Sequence, residues 1–215
     1  MGCIRDKPLK QYCGQGPEDG VSSATATATA ENDVNNTKNG PQNKVANFSN
    51  VVVDDRLPLS VRQCFRLIQS WRAIKRNISE TGVEMFIRLF KSNSELKNMF
   101  HEFKDLTSED DLRANEALEN HATLVMTTLD DAITHIDNYD YVSEVLRKTG
   151  ASHVRFEGFK SDNFLNIRDP FLEAVKITLG DRYTDNMESI YKVAITFILQ
   201  TMVEGMEDAL KNKAT

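Results

Sequence analysis

The chain has 215 residues, a net charge of −6 and a pI near 5.3, and 40% of its residues are apolar. That acidic balance argues against a general nucleic-acid binder, which needs a basic face. The chain holds no run of 18 apolar residues, no apolar leader at its start, and only three scattered cysteines (Cys3, Cys13, Cys64). The expectation is therefore no spanning helix, no secretion and no disulfide framework, in a reducing cytoplasm.

Met1-Gly2-Cys3 opens the chain. Loss of Met1 exposes Gly2 as an acceptor for myristate, and Cys3 beside it suits palmitate. Asp6 stands where the motif asks for Ser or Thr, so the motif alone is weak. Arg5, Lys7 and Lys10 outweigh Asp6 and favour an anionic leaflet. Residues 11–57 differ in texture. Pro8, Pro17, Pro41 and Pro58, four of the five prolines, fall at or near this stretch. Ser22 to Gly40 has no aromatic residue and one large aliphatic, Val34. So little apolar surface does not offset an ordering entropy of roughly 1–2 kcal/mol per residue, and a disordered linker is predicted.

From residue 58 to 215 the pattern is helical. Ser60 and Gln63 form a capping box, and Val61, Cys64, Phe65, Ile68 and Trp71 follow at helical spacing. A second run carries Val83, Phe86, Leu89 and Phe90. After a polar break, Ser94 leads to Leu96, Met99, Phe100 and Phe103. A longer helix over 115–136 puts Leu118, His121, Val125, Leu129, Ala132 and Ile136 on one stripe. A shorter one covers 140–154. Another spans 162–179 with Phe164, Phe171, Leu172, Val175 and Ile177, and a last one follows Thr184 with Met187, Ile190, Tyr191, Ala194 and Ile198. No stretch alternates with period two for long enough to make a convincing strand. The fold class read from this is all-α, six to eight helices around one core.

Of four histidines, His101 and His135 read as surface residues. His121 sits on an apolar stripe, and His153 lies near the end of the next helix. A neutral imidazole is a good ligand for haem iron. Imidazoles on two facing helices would hold a flat ring between them, walled by Phe86, Phe100, Phe103 and Val125. On the residues alone two readings stand, since a histidine on an apolar face is more often a hydrogen-bonded core residue than a ligand.

Several segments in order then carry a resemblance: LIQSWRAIKRN with Trp71, GVEMFIRLF with Phe86, LKNMFHEF with Phe100, ENHATLVM with His121 and Val125, and TGASHVRF with His153. Together they resemble the globin family over residues 59–215, on the side of neuroglobin and globin X. The resemblance implies a globin fold around a haem pocket, with haem b (iron protoporphyrin) as cofactor. His153 would be the proximal ligand and His121 the distal histidine. Phe100 would lie flat on the porphyrin, Val125 would crowd the ligand side, and Phe86 would close the distal pocket. Leu124 stands where many globins have a cation near a haem propionate, and Thr149 where leucine is usual.

The resemblance further implies bis-histidine, six-coordinate iron that binds O2, CO, NO or nitrite once His121 gives way. Globin X has an acylated, MGC-type start, so residues 1–10 are expected to be a lipidated anchor. That places a peripheral, lipid-anchored protein on the cytoplasmic face of the plasma membrane, in a redox, gas-sensing or lipid-protection role. Two other readings stand beside it. One is a haem enzyme, a nitrite reductase or NO dioxygenase fed by an external electron donor. The other is a haem-free helical signalling adaptor.

Overall fold

A computed structural model describes residues 54–214. The expected anchor segment, with Gly2 and Cys3, and all but the last four residues of the expected linker lie outside the described residues. Every regular element among the described residues is helical: α1 (Val61–Arg76), α2 (Ile78–Ser92), α3 (Ser94–Lys97), α4 (Glu109–Arg113), α5 (Glu116–Thr134), α6 (Tyr139–Ser152), α7 (Arg168–Leu179) and α8 (Asp185–Ala214). Short 3₁₀ turns cover His153–Arg155, Ser161–Ile167 and Gly180–Arg182. No helix among the described residues is long and apolar enough to cross a membrane.

Caps mark the helix starts. The Ser60 hydroxyl accepts from the Gln63 amide, and the Gln63 side chain accepts from the Ser60 amide, the reciprocal pair that its spacing predicts. Asn115 caps α5 and Asn138 caps α6, each through its side-chain oxygen. Ser108 caps α4, whose Glu109-Asp110-Asp111 run then lies against the positive end of that helix. Just before α1, Arg56 bonds Asp54 and Asp140 and lies over the Tyr139 ring at 4.2 Å. The chain thus enters the bundle tied to the start of α6.

Where one helix is predicted over 162–179, two elements are found, joined at Arg168. Pro170 is the cause. It has no N–H to bond backward and its ring crowds the carbonyl four residues earlier, so it is tolerated only in the first turn of a new α-helix. The residues before it wind as a tighter 3₁₀ helix. The stretch from Ser94 makes a single helical turn.

The core runs through all the long helices. Leu67, Trp71 and Ile74 of α1, Met85 and Phe86 of α2, and Leu118, Ala122 and Met126 of α5 are buried. So are Leu146 of α6, Phe171 and Val175 of α7, and Tyr191, Ile195 and Ile198 of α8. Phe65 and Ile177, counted on the helical stripes, are not part of it. Phe65 is 50% and Ile177 is 55% exposed. Each sits one position past or two past a buried residue, which rotates it about 100–200° off the inward face. Helices α2 and α5 cross at Gly82, where an added Cβ would lie 2.7 Å from Met126 Cγ and 3.0 Å from the Ala122 carbonyl oxygen. That contact pins α5 against α2 at Ala122, the residue next to His121.

Candidate functional site

His153 is the C-cap residue of α6 and opens the 3₁₀ turn that follows. Its Nδ1 lies 2.8 Å from the Thr149 carbonyl oxygen. A carbonyl only accepts, so the proton is on Nδ1 and the lone pair is on Nε2. Burial pushes the imidazole below the usual histidine range. The Arg155 charge works the same way, and the Thr149 bond works against both. The ring is thereby neutral near pH 7, with one nitrogen tied down and the other carrying a lone pair that could ligate a metal. Three phenylalanines surround it: Phe164 at 4.7 Å edge-on, Phe159 at 5.1 Å and Phe156 at 5.6 Å between centroids.

A second aromatic nest holds His121, which projects from α5. Phe86 of α2 meets its ring edge-on at 5.1 Å, and Phe100, in the turn after α3, does so at 4.9 Å. Phe103 does not face His121 in these contacts. It stacks on Phe100 at 4.9 Å, with the planes 19° apart, and so holds Phe100 from behind. Phe90 closes the cluster against Phe86, Phe100 and Phe103. Val125, one turn after His121, is half-buried and packs against the core. The Met99 methyl lies 4.0 Å from where a Cβ on Gly158 would be, so the corner bearing Phe100 comes near the loop bearing Phe156 and Phe159.

These parts fit an iron porphyrin by their chemistry. A neutral imidazole with its other ring nitrogen, here Nδ1, fixed by a backbone carbonyl is the usual arrangement of a metal-binding histidine. Aromatic walls suit a flat apolar macrocycle. Leu124, 47% exposed, offers no charge to a propionate. Thr149 contributes its carbonyl, while its hydroxyl bonds the Val145 carbonyl within α6 and is spent there. Phe156 and Phe159 do not appear among the residues singled out from the sequence. They fall in a loop without periodicity, and their only signal is aromatic density just after His153.

Comparisons with known proteins point to one family. The family model described as Globin matches residues 83–202. Neuroglobin of Tetraodon nigroviridis is 27% identical over 145 residues, which is 67% of this chain and 91% of that one. Neuroglobin-2 of Oncorhynchus mykiss is 26% identical over 136 residues, 63% of this chain and 85% of that one. Among solved structures, a hexacoordinated heme protein from an anhydrobiotic tardigrade, crystallised at pH 4, is similar with a TM-score of 0.69 at 34% identity. It covers 72% of this chain and 99% of its own.

Proposed function

The chain belongs to the globin family, and on that footing we propose that it binds haem b with His153 on one face of the iron and His121 on the other. Bound haem would supply a redox-active iron able to take O2, CO or NO. The protein's residues set the terms. His153 gives its Nε2 lone pair, with the Thr149 carbonyl fixing the tautomer. Phe86, Phe100 and Phe103 keep water from the distal side, and Phe159 and Phe164 from the proximal side. Were His121 bound to the iron at rest, a gas would have to displace it, and the observed affinity would fall by the fraction of sites that are open.

The observation that carries this reading is the half-buried, neutral His153 with one nitrogen committed to Thr149. Similarity at 34% identity to a hexacoordinated heme protein supports the two-histidine form. Two imidazoles provide the same ligand set in both oxidation states, which suits electron exchange with an external donor. The Gly2-Cys3 start and the basic residues Arg5, Lys7 and Lys10 support attachment to the cytoplasmic leaflet. A tethered chain is badly placed for bulk oxygen carriage, so the role is redox, gas sensing or lipid protection.

The test is an absorption spectrum of the reduced, gas-free full chain after haem addition. Sharp paired visible bands are expected. One broad visible band overturns the two-histidine form, and absence of a Soret band overturns haem binding altogether.

A further inference from the structure

Helices α6 and α8 cross where each carries a glycine. A Cβ on Gly150 would run into the Met202 backbone, and a Cβ on Gly205 into the Arg147 backbone. The relation is reciprocal: Gly150 follows Arg147 by three residues, and Gly205 follows Met202 by three. Backbone meets backbone on both sides, and backbone cannot turn aside as a side chain can. Glycine weakens a helix interior, so two of them at one crossing mark a place where close approach outweighs helix propensity. Arg147 adds a polar clasp beside it, reaching Glu204 and, at 3.0 Å, Asp208 of α8.

The peptide unit at this crossing is the one between Thr149 and Gly150. Its carbonyl is the group that accepts from Nδ1 of His153. Anything that shifts the peptide therefore shifts the acceptor that orients the imidazole.

We infer that the Gly150–Gly205 crossing positions the proximal imidazole: α8 holds the Thr149–Gly150 peptide, and that peptide holds the ring of His153. Gly150 and Gly205 are thus positioning residues, remote from the cofactor yet setting the aim of its ligand. This rests on the reading of His153 as the iron ligand. It also makes α8 the support of the proximal side, as the Gly82 crossing of α2 and α5 supports the distal side.

The experiment uses the full chain loaded with haem and four variants: Gly150→Ala, Gly205→Ala, Arg147→Gln, and Gly82→Ala as a crossing of the other side. Three quantities are read. They are the iron–histidine stretching band after CO photolysis, the rate of haem transfer to an excess of haem-scavenging apoprotein, and amide exchange over residues 149–156 in the cofactor-free chain. Gly150→Ala and Gly205→Ala are expected to speed haem transfer about 10- to 100-fold, the range for loss of an outer-shell partner. They should also move the stretching band and strip protection from residues 149–156. Gly82→Ala should leave that band in place, which separates positioning from general loss of stability. Arg147→Gln loosens the clasp without adding an atom to the crossing, and should speed transfer about two- to fivefold. An unmoved band and an unchanged transfer rate in a folded glycine variant overturn the inference. If neither glycine variant folds, the same result in Arg147→Gln overturns it. If the unaltered chain takes up no haem, the haem reading fails by itself. Amide exchange then decides: protection lost over 149–156 supports the crossing as the support of His153, and protection retained overturns it.

Discussion

Nε1 of Trp71 donates to a carboxylate oxygen of Asp130 at 2.8 Å, tying α1 to the helix that carries His121. The other oxygen takes Lys75 at 2.7 Å. The Asp130 side chain is only 16% exposed, so its bond to the indole is largely shielded from water. Asp130→Ala leaves the indole N–H buried without a partner, which costs about 1–3 kcal/mol. Asp130→Asn keeps an acceptor and should lose less. Urea unfolding of both variants checks the order. Equal stability of Asp130→Ala and the unaltered chain would refute it.

Replacing His153 by Leu removes the proposed ligand itself. Haem transfer to a scavenger should then quicken by more than the roughly 100-fold that loss of an outer-shell partner brings. Retention at the unaltered rate contradicts the assignment of His153.

His121→Leu should do the opposite for gas binding. With His121 ligated, an open fraction of about 1–10% lowers apparent affinity by that factor. The variant should bind CO about 10- to 100-fold more tightly, and its reduced spectrum should change from paired bands to one broad band. An unchanged CO titration would show that His121 does not compete for the iron.

Alkaline stability falls on Tyr191. Burial pushes its hydroxyl up from 10.0 to about 12, aided by neighbouring Tyr183 and opposed by the hydrogen bond to Ser70. A raised folded value means that the neutral form is favoured in the fold. The stability this confers is fully present below pH 10 and is lost as pH rises through about 12. Two pKa units correspond to about 2–3 kcal/mol. Tyr191→Phe should flatten the fall in stability over that window, measured by denaturant titration at stepped pH. A slope equal to that of the unaltered chain would count against it.

Membrane attachment can be read by fractionation of cells expressing the full chain. Gly2→Ala should move the protein to the soluble fraction. Cys3→Ser should leave a weaker, reversible attachment, since one acyl chain binds a bilayer with a constant of only about 10⁴ M⁻¹. Undiminished membrane partition of Gly2→Ala defeats the acylation proposal.

Local signals were legible before any coordinates. The Ser60–Gln63 capping box and the stripe that singled out His121 depend on residues a turn apart, and periodicity reports such relations directly. Phe65 and Ile177 misled because size and apolarity do not say which way a side chain points. The break before α7 hung on Pro170, which reads equally as a kink or as a first-turn residue. Relations across the bundle were silent. Trp71 and Asp130 are 59 positions apart, and a single sequence carries no trace of their pairing. Gly150 and Gly205 look in sequence like weak points in two helices. Only the crossing shows what they make room for.

The chain contains one tryptophan, and it is the indole held by Asp130. Its fluorescence is therefore a single-site gauge. Without cofactor, the emission wavelength should report whether the first and fifth helices stay docked. When a porphyrin is added, energy transfer should quench the same signal, so one cuvette can follow both docking and loading.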